Sequence, residues 1–148
     1  MKIILTIALF LFALNILAQD KFYTKGLANG YAWSAPPSVS MLAYSKGESL
    51  SGMLNLRKYQ TQIQRDLSFP LGCDSEIEDL LNAKASSTID LQTIEKLIDK
   101  FYEKEENLNI PVLGAYCCCI KELAGKSVKE IEMYRKELLE FSSVKSEK

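Results

Sequence analysis

The sequence predicts an all-α fold, a single-domain bundle of four to five helices with an irregular N-terminal arm. Apolar residues recur at three- and four-residue spacing along most of the chain. Ser-x-x-Glu capping boxes at Ser75 and Ser127 mark two helix starts. No stretch shows the alternation of apolar and polar residues that is typical of strands.

The N-terminus predicts export. Lys2 is followed by an almost wholly apolar run over residues 3–17, and Ala18 places a small residue before Gln19. This is the layout of a cleaved secretory signal peptide, because the run is shorter than the roughly 20 residues that a membrane span needs. An uncleaved anchor is the alternative. We expect a periplasmic (Gram-negative) or secreted protein with no stable membrane span after cleavage.

Cleavage after residue 18 leaves about 130 residues, which is the size of one domain. We therefore assign residues 1–18 to the signal peptide, 19–142 to a single helical domain and 143–148 to a flexible tail. The domain opens with an aromatic-rich arm. Within this arm the Asn29-Gly30 pair predicts a turn.

The predicted helices follow the arm. The first begins near Pro36, with Ser34 as its cap, and continues or restarts past Leu56 to about Arg65. The segment 110–124 is apolar over most of its circumference, which predicts a central helix, and Gly125 is its expected stop. Four helices in all are predicted after the first, at 75–85, 90–103 with Asp90 as its cap, 110–124 and 127–141.

Composition narrows the chemistry. The chain has no histidine, which excludes Ser-His-Asp and Cys-His catalysis and His-ligated zinc. Its net charge is −1. The sequence has no basic patch of the kind that predicts nucleic-acid binding. We also find no phosphate-binding loop, nucleophile elbow or calcium-loop pattern, and so predict no catalytic residue, cofactor or metal.

Four cysteines remain after the leader, Cys73 and the consecutive Cys117, Cys118 and Cys119. Neighbouring residues on a helix point about 100° apart, so the triplet cannot converge on one metal. Export favours one ordinary disulfide, from Cys73 to a member of the triplet. The predicted helix 110–124 has two adjacent apolar seams, one that contains Cys117 and one that contains Cys119. Cys118 lies on neither seam and is our first choice; Cys117 and Cys119 are the alternatives.

Several segments resemble a group of small exported helical bacterial proteins of unknown function. They are Gly30–Trp33, Leu42–Gly47, Ile89–Ile94, Ile98–Tyr102 and Glu106–Val112. The layout is more remotely similar to the Rap/Tai-type immunity proteins of type VI secretion, although the terminal Pro-Cys of that group is missing. This resemblance implies an all-α exported fold and an effector toxin as protein partner.

These observations favour a non-catalytic exported protein that binds another macromolecule. The more specific hypothesis is an immunity-type inhibitor of a secreted effector. The arm offers Tyr31 and Trp33 as partner-contact candidates. One alternative is a small carboxylate-dependent hydrolase that would use Glu48 and Asp99. Another is an envelope or stress protein without a discrete ligand.

Overall fold

A computed structural model describes residues 21–36, 69–70, 72–82 and 91–143 of this protein. In chain order, its elements are strands β1 (Tyr23–Thr24) and β2 (Leu27–Ala28), helices α1 (Gly30–Ser34), α2 (Asp74–Asn82) and α3 (Leu91–Tyr102), a 3₁₀ turn (Glu105–Asn107), and helices α4 (Val112–Leu123) and α5 (Val128–Ser143). The structure is mostly helical, and the predicted all-α bundle is confirmed. The predicted signal peptide, the predicted helix beyond Pro36 and the Asp90 cap lie outside the described residues. The prediction that Ser34 caps that helix is wrong, because Ser34 is the last residue of α1 and the extended Ala35 follows it.

The arm is more ordered than its sequence indicated. Strands β1 and β2 pair antiparallel, with Tyr23 opposite Ala28 and Thr24 opposite Leu27. Lys25 and Gly26 join them with φ of 50° and 81°, the positive values that a tight type I′ hairpin turn requires. Two-residue strands are too short to show alternation, which explains the lack of a strand signal in the sequence.

Asn29 starts a helix instead of the predicted turn. Its side-chain Oδ1 accepts hydrogen bonds from the backbone N–H groups of Tyr31 at 3.1 Å and Ala32 at 3.3 Å, and so caps α1. Its Nδ2 donates to the Lys21 carbonyl and to Thr24 Oγ1. One buried amide therefore fixes the hairpin to the first turn of α1.

Helix α4 is central, as predicted. All nine residues from Val112 to Ile120 are buried, and α2, α3 and α5 pack around this helix. Gly114 lets α5 come close, since a Cβ at that position would lie 2.7 Å from Leu138 Cδ2. Burying each large apolar side chain of this core contributes about 1.5–3 kcal/mol.

The connection from α4 to α5 follows the local signals of the sequence. Gly125 has φ of 73°, and the N–H of Lys126 donates to the Lys121 carbonyl at 3.0 Å, which is the Schellman pattern of a helix end. Ser127 and Glu130 then form the predicted capping box. The N–H of Ser127 donates to Glu130 Oε2, and the N–H of Glu130 donates to Ser127 Oγ.

The other predicted capping box, at Ser75, is wrong. Helix α2 begins one residue earlier, at Asp74, and the Cys73 carbonyl accepts the first helical hydrogen bond, from the N–H of Ile77 at 3.0 Å. Ser75 therefore lies inside the first turn, where its hydroxyl donates to Glu76 Oε2. The boundaries of α3, α4 and α5 differ from those predicted by one or two residues.

Within the described ranges, every helix is either too short or too polar to cross a membrane.

Candidate functional site

Trp33, a predicted partner-contact residue, belongs to the core. Its side chain is 1 % exposed, and its indole N–H donates to Asp99 Oδ1 on α3 at 2.7 Å. The prediction that Trp33 contacts a partner is therefore wrong, because α1 turns this face of the arm inward. Asp99, one of the two carboxylates of the hydrolase alternative, is engaged by this hydrogen bond, while Glu48 lies outside the described residues.

Tyr31, the second predicted contact residue, is half-buried. The Lys21 ammonium lies 4.6 Å from the centroid of its ring, a cation–π contact. The aromatic residue that the arm exposes is Tyr23, which is 52 % exposed on β1, while its neighbour Thr24 faces inward. The alternation of side-chain direction in a strand produces this difference, and it could be used only once the hairpin was known.

The arm is fixed to the segment that connects α3 and α4. The N–H of Gly30 donates to the Leu108 carbonyl at 2.9 Å, and Thr24 Oγ1 donates to the Asn109 carbonyl at 2.6 Å. A single β-bridge also joins Asn29 to Pro111. We name residues 21–26 of this anchored hairpin the hairpin surface.

A disulfide joins Cys73, at the start of α2, to Cys117 in the middle of α4. The choice of Cys118 as the partner is therefore wrong; Cys118 and Cys119 are free and buried. That choice assumed that one member of the triplet lies on a less buried side of the helix. All three cysteines of the triplet are buried, so the direction of each side chain decides the pairing, and Cys117 is the one that reaches Cys73 at the start of α2.

An ion pair lies one helical turn from the bridge on both helices. Glu76 Oε1 is 2.9 Å from Lys121 Nζ and 3.8 Å from Lys126 Nζ. Burial raises the pKa of Glu76, but its hydrogen bonds, the one from Lys121 foremost, outweigh that effect and leave the pKa below its usual value. Lys121 Nζ also lies 5.1 Å from the centroid of the Tyr134 ring. The disulfide and the ion pair therefore link α2 to α4 at two positions, one covalent and one electrostatic.

A half-open cavity of about 160 Å³ lies between α3, α4 and α5. We name it the basic groove. Each helix contributes residues at helical spacing, and Asn107 completes the lining. The lining residues are Leu97, Lys100, Phe101 and Lys104 on the α3 side, Cys118, Cys119 and Glu122 from α4, and Ile131, Glu132 and Arg135 from α5.

Arg135 is held in place at the edge of the basic groove. Its Nε donates to Glu132 at 2.9 Å, and its Nη1 donates to Glu106 at 2.7 Å and to Asn107 Oδ1 at 2.9 Å. Burial lowers the pKa of Arg135, but the neighbouring carboxylates of Glu132 and Glu106 raise it above its usual value overall. These bonds leave Nη2 available as a donor.

The two free thiols of the basic groove are chemically quiet. Burial raises the pKa of Cys118 to about 12, although the positive charges of Arg135 and Lys121 act in the opposite direction. Burial also raises the pKa of Cys119. Both thiols are protonated at neutral pH, and a protonated thiol is a poor nucleophile. The described residues include no group of three or more Cys, Asp or Glu that could hold a metal ion.

Comparisons with protein families, with curated proteins and with solved structures found no match. Fold and site together define a small helical protein with a disulfide-braced core, an exposed hairpin surface and a basic groove.

Proposed function

We propose that this protein is a non-catalytic exported protein that binds another macromolecule through its hairpin surface, in the specific case as an immunity-type inhibitor of a secreted effector. The observation that carries the proposal is Tyr23, an aromatic residue that is 52 % exposed on an anchored hairpin. Tyrosine is frequent at binding hot spots because it combines a large apolar ring with a hydroxyl that can hydrogen-bond.

The anchoring of the arm supports this proposal. Thr24 and Gly30 bond to consecutive carbonyls of the α3–α4 connection, those of Asn109 and Leu108. A surface that is ordered before it meets a partner loses little conformational entropy on binding. The Cys73–Cys117 bridge adds support for the compartment, since disulfides persist in oxidising environments.

The test compares Tyr23→Ala with Met133→Ala, an exposed apolar residue of α5 that is 55 % exposed. Immobilised wild-type protein first captures its partner from an envelope extract of the source organism. The captured protein is then purified, and its affinity for the wild type and for each variant is measured by titration. We expect Tyr23→Ala to weaken binding by about tenfold or more, the effect of losing a hot spot of at least 1.4 kcal/mol. Met133→Ala should bind like wild type, and both variants should keep wild-type circular dichroism.

Equal binding by Tyr23→Ala and wild type would show that the hairpin surface is not the interface. Trp33→Ala should instead lose helicity, because Trp33 is buried. Turnover of a cell-wall or nucleotide substrate that Glu48→Gln abolishes would contradict the non-catalytic role altogether.

A further inference from the structure

We propose that the basic groove binds a small organic carboxylate, a monoanion whose apolar body is about the size of one aromatic ring. This site uses residues different from those of the hairpin surface, so it stands or falls independently of the proposed function.

Size and lining indicate the apolar body. The cavity measures about 160 Å³, and an apolar protein cavity of about 150 Å³ is large enough to bind benzene. Leu97 and Phe101 of α3 and Ile131 of α5 line it, and the protonated thiols of Cys118 and Cys119 add to the apolar lining. A ligand that filled this space would exclude water from both helices.

Charge indicates the carboxylate. Lys100 and Lys104 are exposed at the groove, and neither has an ion-pair partner in the part of the chain that the structure describes. The carboxylates at the groove are Glu132 and Glu106, which both bond to Arg135, at 2.9 and 2.7 Å, and Glu122. Lys100 and Lys104 are therefore the cations that remain for the negative charge of a ligand.

Arg135 supplies the directional contact. Its Nε and Nη1 are occupied by Glu132, Glu106 and Asn107, which fixes the guanidinium plane and leaves the Nη2 hydrogens for a ligand oxygen. A carboxylate that accepts from Nη2, with the two lysine ammonium groups nearby, would have its charge compensated. Its apolar body would meet Leu97, Phe101 and Ile131. An inorganic phosphate would leave this apolar lining uncovered, so we favour the organic acid.

The test titrates the full chain with benzoate and with benzamide, which has nearly the same shape but no charge, and follows amide shifts by NMR. We expect saturable benzoate binding with Kd of about 1 mM or tighter, since about nine non-hydrogen atoms at typical ligand efficiencies reach that range. Benzamide should bind at least tenfold more weakly. The shifted amides should belong to the groove residues of α3, α4 and α5.

Matched variants separate the groove from general charge. Lys100→Gln/Lys104→Gln should weaken benzoate binding by tenfold or more, whereas Lys96→Gln/Lys129→Gln, which removes the same charge from exposed positions outside the groove lining, should leave Kd unchanged. No saturable benzoate binding, equal binding of benzamide, or equal loss in the two double variants would overturn the proposal.

Discussion

Reduction of the Cys73–Cys117 bridge should lower the free energy of unfolding by about 4 kcal/mol. The bridge joins residues separated by 44 positions in the sequence, and the chain-entropy model gives about 4 kcal/mol for a loop of that length, because the bridge restricts the unfolded chain. A small domain has only about 5–15 kcal/mol of stability in total. The bridge is therefore expected to supply a large share of it.

The assay is equilibrium unfolding in urea, followed by far-UV circular dichroism, with oxidised and reduced wild-type protein compared. Reduction replaces no side chain, which makes the comparison cleaner than a substitution. The slope of unfolding free energy against urea should rise slightly on reduction, since the unfolded chain exposes more surface. Cys73→Ala/Cys117→Ala should be less stable than the reduced wild type, by about 1 kcal/mol for each buried sulfur that it removes.

The control is oxidised Cys118→Ala, which keeps the bridge and removes one buried sulfur. It should cost about 1 kcal/mol, far less than reduction. A loss of less than about 1 kcal/mol on reduction would refute the entropic argument. A peptide map that joined Cys73 to Cys118 or Cys119 would refute the geometry on which that argument rests.

Two further predictions concern single side chains. Glu76→Gln should lower the free energy of unfolding by about 1–3 kcal/mol at pH 7. The native pKa of Glu76 lies below its usual 4.5, so its contribution to stability is complete above pH 4.5 and is lost as the pH falls through the lowered pKa. In an acid titration below pH 4.5, the variant should therefore lose less stability than the wild type. Gly30→Ala should cost about 1–3 kcal/mol in thermal unfolding, since its methyl group would clash with the Tyr102 ring and lie 2.9 Å from Leu108 Cα. The matched control is Gly72→Ala, whose methyl would lie 3.7 Å from Tyr134 Cε2, an ordinary contact distance. This variant should change stability by less than about 1 kcal/mol; an equal cost at both glycines would contradict the steric explanation.

The features that the sequence predicted correctly are those that a few neighbouring residues determine. Gly125 ends α4 because a positive φ at that position needs no other element. The Ser127–Glu130 capping box is likewise closed within four residues. The central place of α4 followed from the apolar residues around its whole circumference, which a helix at the surface would not tolerate.

The features that sequence reasoning missed depend on distant parts of the chain. Trp33 is buried because Asp99, 66 positions later, lies opposite its indole, and no local pattern records that distance. The basic groove needs the relative placement of three helices before Lys100 and Arg135 can be seen to line one cavity. Periodicity assigns residues to a helix face, but it does not say which helix that face meets.

The position of the disulfide within the cysteine triplet also sets the rotation of α4. Moving the bridge by one residue, from Cys117 to Cys118, would turn the helix by about 100° about its own axis. Gly114 would then no longer face Leu138, where a larger side chain would clash, and Lys121 would move away from Glu76. Each wrong bridge is therefore coupled to a wrongly packed core. A chain that forms a wrong disulfide before it folds cannot pack its core correctly until that bond is broken.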